Sequence, residues 1–303
     1  MPIINGDKIN KHEIDSTNYP EETKTDPLLE SLNSGTNLNI NKLSTDKQGE
    51  LTRLVNKLYA NNYFGAYLIT DRSKAVLAAR YGVANAQSGN IFRLNSPFEI
   101  GNLQQIYNDA MLLKLSEQGN LNLNDKITNY LPMKNLKSNL TVKLLLTDKV
   151  HLYVRSAMRK SFGKTSLLKS VTPYRSDVYN QISANEYVKS QLIQKITGTS
   201  YAKSFNNFIV SSINLSNSRV VTSPQLQIND VRSYEYGVNN KLPAQKNEIP
   251  TQKVNIIGYS IRMSMSDMAV SMNSLLQAKY LNKKNTEQLL RVLKKILVQP
   301  MDI

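Results

Sequence analysis

The chain has 303 residues, of which 40% are hydrophobic and 7% aromatic with no Trp, enough for one large domain or two lobes sharing a core. It contains no Cys, which excludes disulfides, thiolate zinc sites and thiol catalysis together. Its 38 Lys and Arg against 23 Asp and Glu leave a formal charge of +15, a surface that attracts polyanions or anionic membranes, although scattered basic residues also serve as plain solvated surface.

Residues 1–44 are rich in Asn, Lys, Glu, Asp, Ser and Thr without apolar periodicity and read as a flexible tether or wrapped arm, with His12 solvated. A helix is expected from Ser44, capped by Ser44 or Thr45, with Leu51, Leu54, Val55 and Leu58 on one face. Two strands follow at 64–70 and 74–81, joined by a turn at Asp71 to Ser73. The stretch from Phe98 to Pro132 organises the rest. Ile106, Ala110 and Leu113, with Met111, Leu112 and Leu115 beside them, predict a helix buried on most sides. Gly101-Asn102 supplies its start, with the Asn side chain as cap, and Gly119 its stop.

This stretch fits the pattern F-x-I-[AG]-S-x-x-K followed by L-x-x-x-G-x-L-x-L-[DN]-D-x-[IV]-x-x-Y-x-P. Phe98, Ile100, Gly101, Leu115, Gly119, Leu121, Leu123, Asn124, Asp125, Ile127, Tyr130 and Pro132 all match. The chain therefore resembles the serine β-lactamase and penicillin-binding-protein superfamily, in particular the β-lactamase-like serine hydrolases of Gram-positive cell surfaces. Tyr81-Gly82-Val83-Ala84-Asn85 matches the end of that family's second strand. The Ser and Lys of the motif are replaced by Asn102 and Gln105. A hydroxyl with an amine three residues on lies within proton-transfer reach of it, and the amine activates the nucleophile. An Asn is not a useful nucleophile and a Gln does not titrate near neutral pH.

Further along, Thr141, Val142, Leu145 and Leu146 match the family, while Asp148, Val150 and His151 stand in place of a His, Ser and Gly that make a tight turn under the active site. That loop is expected to be rebuilt. His151 lacks a partner His or Cys, so a metal site is not expected there. Phe162 to Ser166 looks like the tail of a phosphate-binding loop, but Met158 holds the place of its first Gly and no buried strand precedes it. In the segment Tyr179 to Tyr201, residues Leu192, Ile193, Lys195 to Gly198, Ser200 and Tyr201 match the family's second motif region. Counting back from Gly198 puts Gln181 where the family has a Tyr and Ser183 where it has an Asn. A two-residue slip would recruit Tyr179 instead. Gly258, Ser264, Asp267, Met268, Leu275, Leu276 and Leu281 match a later motif, and the methionines there read as gap-filling core. A last helix at about 285–298 sets Leu289, Leu290, Val292, Leu293, Ile296 and Leu297 against Arg291, Lys294 and Lys295. It is expected to pack on its own domain, with an anionic membrane surface as the weaker alternative.

The resemblance implies an α/β (α+β) fold of the β-lactamase/transpeptidase type: a domain over 45–303, with a helical lobe at about 98–250 and a reduced, incomplete antiparallel sheet. The strands bearing the family's third motif are expected to be missing from this sequence, which leaves three outcomes: other segments complete a reduced sheet, a second chain lends strands, or the chain is a truncated relic. A two-stranded hairpin alone is marginal and has open edges that allow an oligomer. The favoured reading is a catalytically inactive relative, a pseudoenzyme, acting at the cell envelope. Asn102, Gln105, Ser183 and Asn185 would line its cleft and hydrogen-bond a cell-wall peptide or glycan or a teichoic acid. One alternative is an active serine hydrolase of the D,D-peptidase or esterase type with a relocated nucleophile, Ser96 or Ser183. Another is a basic protein binding polyanions or a membrane surface. No cofactor or metal is expected. Nucleic acid is disfavoured, since no zinc-ligand spacing, RNP-like run or helix-turn-helix pattern is present. No segment approaches the ~20 apolar residues of a membrane span. The start MPIINGDKINKHE lacks signal-peptide regions, so an extracellular location would need a signal or anchor outside this sequence.

Overall fold

The structure is a computed structural model that describes residues 39–40, 49–50, 53, 57, 65–71, 74–81, 83–85, 88–133, 139–161, 164–173, 181–221, 226–227, 229–234, 248–249 and 260–298. Of the helix expected from Ser44, Gly49, Glu50, Arg53 and Lys57 are described and are helical, while its apolar face lies outside the described residues. Tyr179 and the Phe162-Gly163 pair also lie outside them.

Strands β1 (Gly65–Asp71) and β2 (Lys74–Tyr81) form the expected antiparallel hairpin, from Gly65 opposite Tyr81 to Asp71 opposite Lys74. Another segment of the chain extends the hairpin. Asn39–Ile40 pairs in parallel with Lys74 and Ala75, making a third strand and covering part of the β2 edge. The inward side chains Leu68 and Ala78 meet Leu94, Met265, Ala269 and Val270, so the hairpin is seated on a later helix rather than standing alone.

Strand β3 (Pro97–Glu99) leads through a 3₁₀ turn at Gly101–Leu103 into helix α1 (Gln104–Glu117). Ile106, Tyr107, Ala110, Met111, Leu112, Leu113 and Leu115 are all buried, as the sequence pattern requires of a rod wrapped on every side. Gly119, with φ of +74°, ends the turn after α1 in a conformation that side chains with a Cβ resist. The start differs from expectation: Asn102 makes no capping hydrogen bond, because Gly101 at φ +53° opens a 3₁₀ turn that already engages the first amides.

Helix α2 (Val142–Leu146) is capped by Thr141, whose hydroxyl accepts from Leu144 N. The chain then enters a three-stranded sheet in which β4 (Leu152–Arg155) lies between β5 (Thr172–Pro173) and β6 (Gln181–Ser183). Helix α3 (Asn185–Thr197) follows and stops at Gly198, φ +65°, as expected. Helix α4 (Tyr201–Phe205) sets Phe205 edge-on against Tyr107, ring centroids 6.0 Å apart.

Strands β7 (Ser218–Val221) and β8 (Ser260–Ser264) complete the sheet that begins with β3. The central strand β8 pairs with both neighbours, Arg262 opposite Glu99 on one side and Arg219 on the other. Ser264 caps helix α5 (Met265–Leu276), and the Asp267 carboxylate in its first turn accepts from Asn217 N at 2.6 Å and Ser218 Oγ at 2.7 Å. The methionines are core residues here: Met263 Sδ lies 3.1 Å from the Tyr107 hydroxyl. Helix α6 (Lys283–Val298) packs on its own domain through buried Leu289 and Leu293. Its entry is tied to the last turn of α1, where Glu117 Oε1 accepts from Asn282 N and Asn285 Nδ2. Among the described residues no helix is long and apolar enough to cross a membrane.

Candidate functional site

The residues expected to line a cleft lie around the starts of α1 and α3. Asn102 is exposed in the 3₁₀ turn ahead of α1. One turn on, Gln105 Nε2 donates to Asp148 Oδ2 at 3.2 Å. Asp148 sits after α2 at φ +51°, a left-handed conformation that Asp tolerates better than most residues. In the loop expected to be rebuilt, the residue that takes the left-handed turn is Asp148 rather than one at His151. His151 is exposed, and no group able to hold a metal ion occurs among the described residues.

The remaining expected site residues lie on β6 and at the start of α3. Ser183 is exposed and lies opposite Tyr153 of β4, while Gln181 lies opposite Arg155. Asn185 behaves differently. It is buried, its Oδ1 accepts from Leu152 N and its Nδ2 donates to Val150 O, both at 2.9 Å. It clamps the 150–152 backbone to α3, with both ends of its side chain already engaged. Ser96 is buried too, with its Oγ accepting from Arg93 N, which leaves Ser183 as the exposed member of the two serines considered as nucleophiles.

Behind this cleft a buried polar network joins the two helices. Lys189 Nζ lies 2.7 Å from Asp109 Oδ1 and 2.7 Å from Glu186 Oε1. Both contacts are ion pairs rather than aligned hydrogen bonds. Asn108 Nδ2 donates to Glu186 Oε2 at 2.8 Å, the Tyr201 hydroxyl donates to Asn108 Oδ1 at 2.5 Å, and Gln104 Nε2 donates to the same hydroxyl at 3.2 Å. Two carboxylates thus share one ammonium. Burial works against the Lys189 charge, but Asp109 and Glu186 outweigh it and hold the amine protonated well above its ordinary range. Burial pushes Asp109 up to about 7, opposed by Lys189 and assisted by Glu186 and Asp148.

The sequence signal for this network was available but weak. Gln104, Asn108 and Asp109 are buried polar positions of α1, and Gln104 and Asn108 stand at the i, i+4 spacing that shares one face. Periodicity identifies such a face but not what lies across it, which here is Lys189, eighty residues later.

The fold places the chain among known structures. FmtA from Staphylococcus aureus superposes with a TM-score of 0.65 at 20% identity, over 90% of this chain and 76% of that one. A penicillin-binding protein homologue from Pyrococcus abyssi, described as octameric, gives 0.62 at 16% identity over 79% and 59% of the two chains. A D-amino acid amidase from Ochrobactrum anthropi gives 0.60 at 17% identity over 80% and 74%. Among curated sequences, a teichoic acid D-alanine hydrolase of Staphylococcus aureus strain MRSA252 is 22% identical over 244 residues, 78% of this chain. A second Staphylococcus aureus sequence of the same description is 22% identical over 173 residues, 55% of this chain. The chain spans only 60% of the first relative's length and 43% of the second's. The family model described as Beta-lactamase matches residues 51–296, and the chain belongs to that family, within the serine β-lactamase and penicillin-binding-protein superfamily.

Proposed function

We propose that this chain is a non-acylating member of its family that binds a cell-envelope component, a D-alanylated teichoic acid or a wall peptide or glycan, at the cell surface. The observation that carries the reading is that the buried amine of α3, Lys189, is enclosed by two carboxylates. A serine of this family is activated by an uncharged amine, whereas Lys189 faces two carboxylates at 2.7 Å and is held protonated. At the motif positions themselves stand two amides, Asn102 and Gln105, and Gln105 is already donating to Asp148. Asn102, Gln105 and Ser183 supply hydrogen-bonding groups to a ligand, and Asn185 holds the wall on which Ser183 sits. The descriptions of the curated relatives, teichoic acid D-alanine hydrolases, support an envelope ligand.

Incubation with a fluorescent penicillin tests this. The expected result is no covalent band and an unchanged intact mass. An acyl adduct on Ser183 or any other serine overturns the reading in favour of a working hydrolase.

A further inference from the structure

From Lys149 to Pro173 the chain carries six Lys and Arg, at 149, 155, 159, 160, 164 and 169, and not one Asp or Glu. The first part of this stretch alternates in burial. Val150, Leu152 and Val154 point into the core, while Lys149, His151 and Arg155 are exposed and Tyr153 is half-buried. Within β4 that alternation puts Tyr153 and Arg155 on one outward face, about 6.6 Å apart, and Lys149 and His151 are exposed in the bend that leads into the strand. Among the described residues no carboxylate pairs with Lys149 or Arg155. Lys164 and Lys169, also exposed, follow on the next two turns.

The row is continuous with the candidate cleft at two points. Lys149 adjoins Asp148, the acceptor of Gln105. Ser183 lies directly opposite Tyr153, and cross-strand partners share a face, so the exposed hydroxyl of the cleft wall and the cationic row look the same way.

We propose that the outward face of 149–155 is a docking track for a flexible phosphodiester polymer, a polyol phosphate chain, which lies along the cations and delivers its substituents to the Asn102–Ser183 cleft. The proposal rests on the envelope-binding reading above and names the part of the ligand that the cleft itself does not recognise. Lys149 and Arg155, exposed with no acidic residue between them, complement a chain that bears negative charge along its length. The face offers one aromatic side chain, Tyr153, rather than the stacked series that single-stranded nucleic acid uses.

The test titrates the full chain with a synthetic poly(glycerol phosphate) oligomer, bare or D-alanylated, at two salt concentrations. A K149Q/R155Q variant is compared with K283Q/K284Q, which removes the same charge from exposed positions at the start of α6. The expected result is about tenfold weaker binding of both polymers by K149Q/R155Q, a shallower dependence on salt, and less than a twofold change in the control. Equal weakening in the two variants overturns the track while leaving envelope binding intact. Absence of binding of either polymer by the unaltered chain overturns both. Tighter binding of a DNA duplex or of phosphatidylserine vesicles than of the bare polymer overturns the assignment of the occupant.

Discussion

The Lys189 ammonium lies 2.7 Å from the Asp109 carboxylate with neither side chain reaching solvent. The pair joins α1 to α3, the helices that follow the two halves of the candidate cleft. Removing one partner strands the other. Lys189→Met is expected to lower stability by about 3–5 kcal/mol, because Asp109 and Glu186 are left facing each other without a counter-ion. A Lys189→Met/Asp109→Leu double variant should recover a large part of that loss, since it removes the uncompensated charge along with its partner. Chemical denaturation of the three proteins measures the coupling.

The same pair sets a pH dependence. Asp109 in the folded chain titrates at about 7, above its ordinary value of 3.8, so between these values the folded state binds a proton that the unfolded state has lost. Its contribution to stability is therefore greatest at the acid end of this window and falls as pH rises toward 7. Glu99, also raised chiefly by burial, acts in the same direction. Melting temperatures measured at pH 5 and pH 8 should show the folded state losing stability toward alkaline pH, and Asp109→Asn should flatten the part of the slope that it owns. An unchanged slope in Asp109→Asn would place the titration elsewhere.

Restoring the motif residues is expected to fail at first. An amine at position 105 in an Asn102→Ser/Gln105→Lys variant would meet the Asp148 carboxylate, now 3.2 Å from Gln105 Nε2, and stay charged. Adding Asp148→Asn removes that partner. Slow labelling by a fluorescent penicillin should emerge only in the triple variant, as read by band intensity against time.

Asn185 offers a separate test of how the cleft wall is held. Asn185→Ala leaves the Leu152 amide and the Val150 carbonyl without their partners, a loss of about 1–3 kcal/mol. Faster amide exchange confined to 150–155 and 181–183, at temperatures where α1 stays protected, would show that Asn185 anchors this wall and not the domain as a whole.

What the sequence made legible was what local patterns encode. The apolar positions between Ile106 and Leu115, the stops at Gly119 and Gly198 and the 65–81 hairpin follow from periodicity and from residues that tolerate a left-handed turn. Asn102 looked like a cap because Asn before an apolar helix commonly is one, but the preceding Gly101 bends the chain into a 3₁₀ turn instead. Asn185 looked like a cleft residue because the motif stops short of saying which way a side chain turns. The fold turns it inward, onto a backbone thirty-five residues earlier in the chain. Asp109 and Lys189 become a pair only when two helices cross, and no window on the chain contains both.

The sheet built on β8 has a consequence for synthesis. Its middle strand arrives after both of its neighbours, and the Arg262 guanidinium that faces Glu99 and Asp230 arrives with it. Until the ribosome has released residue 264, Pro97–Glu99 and Ser218–Val221 wait side by side with nothing between them, and two acids destined for the interior have no cation from this strand to accompany them inward. This sheet therefore cannot close before its latest strand is made, and a chain ending before Ser260 leaves Pro97–Glu99 and Ser218–Val221 without the strand that joins them.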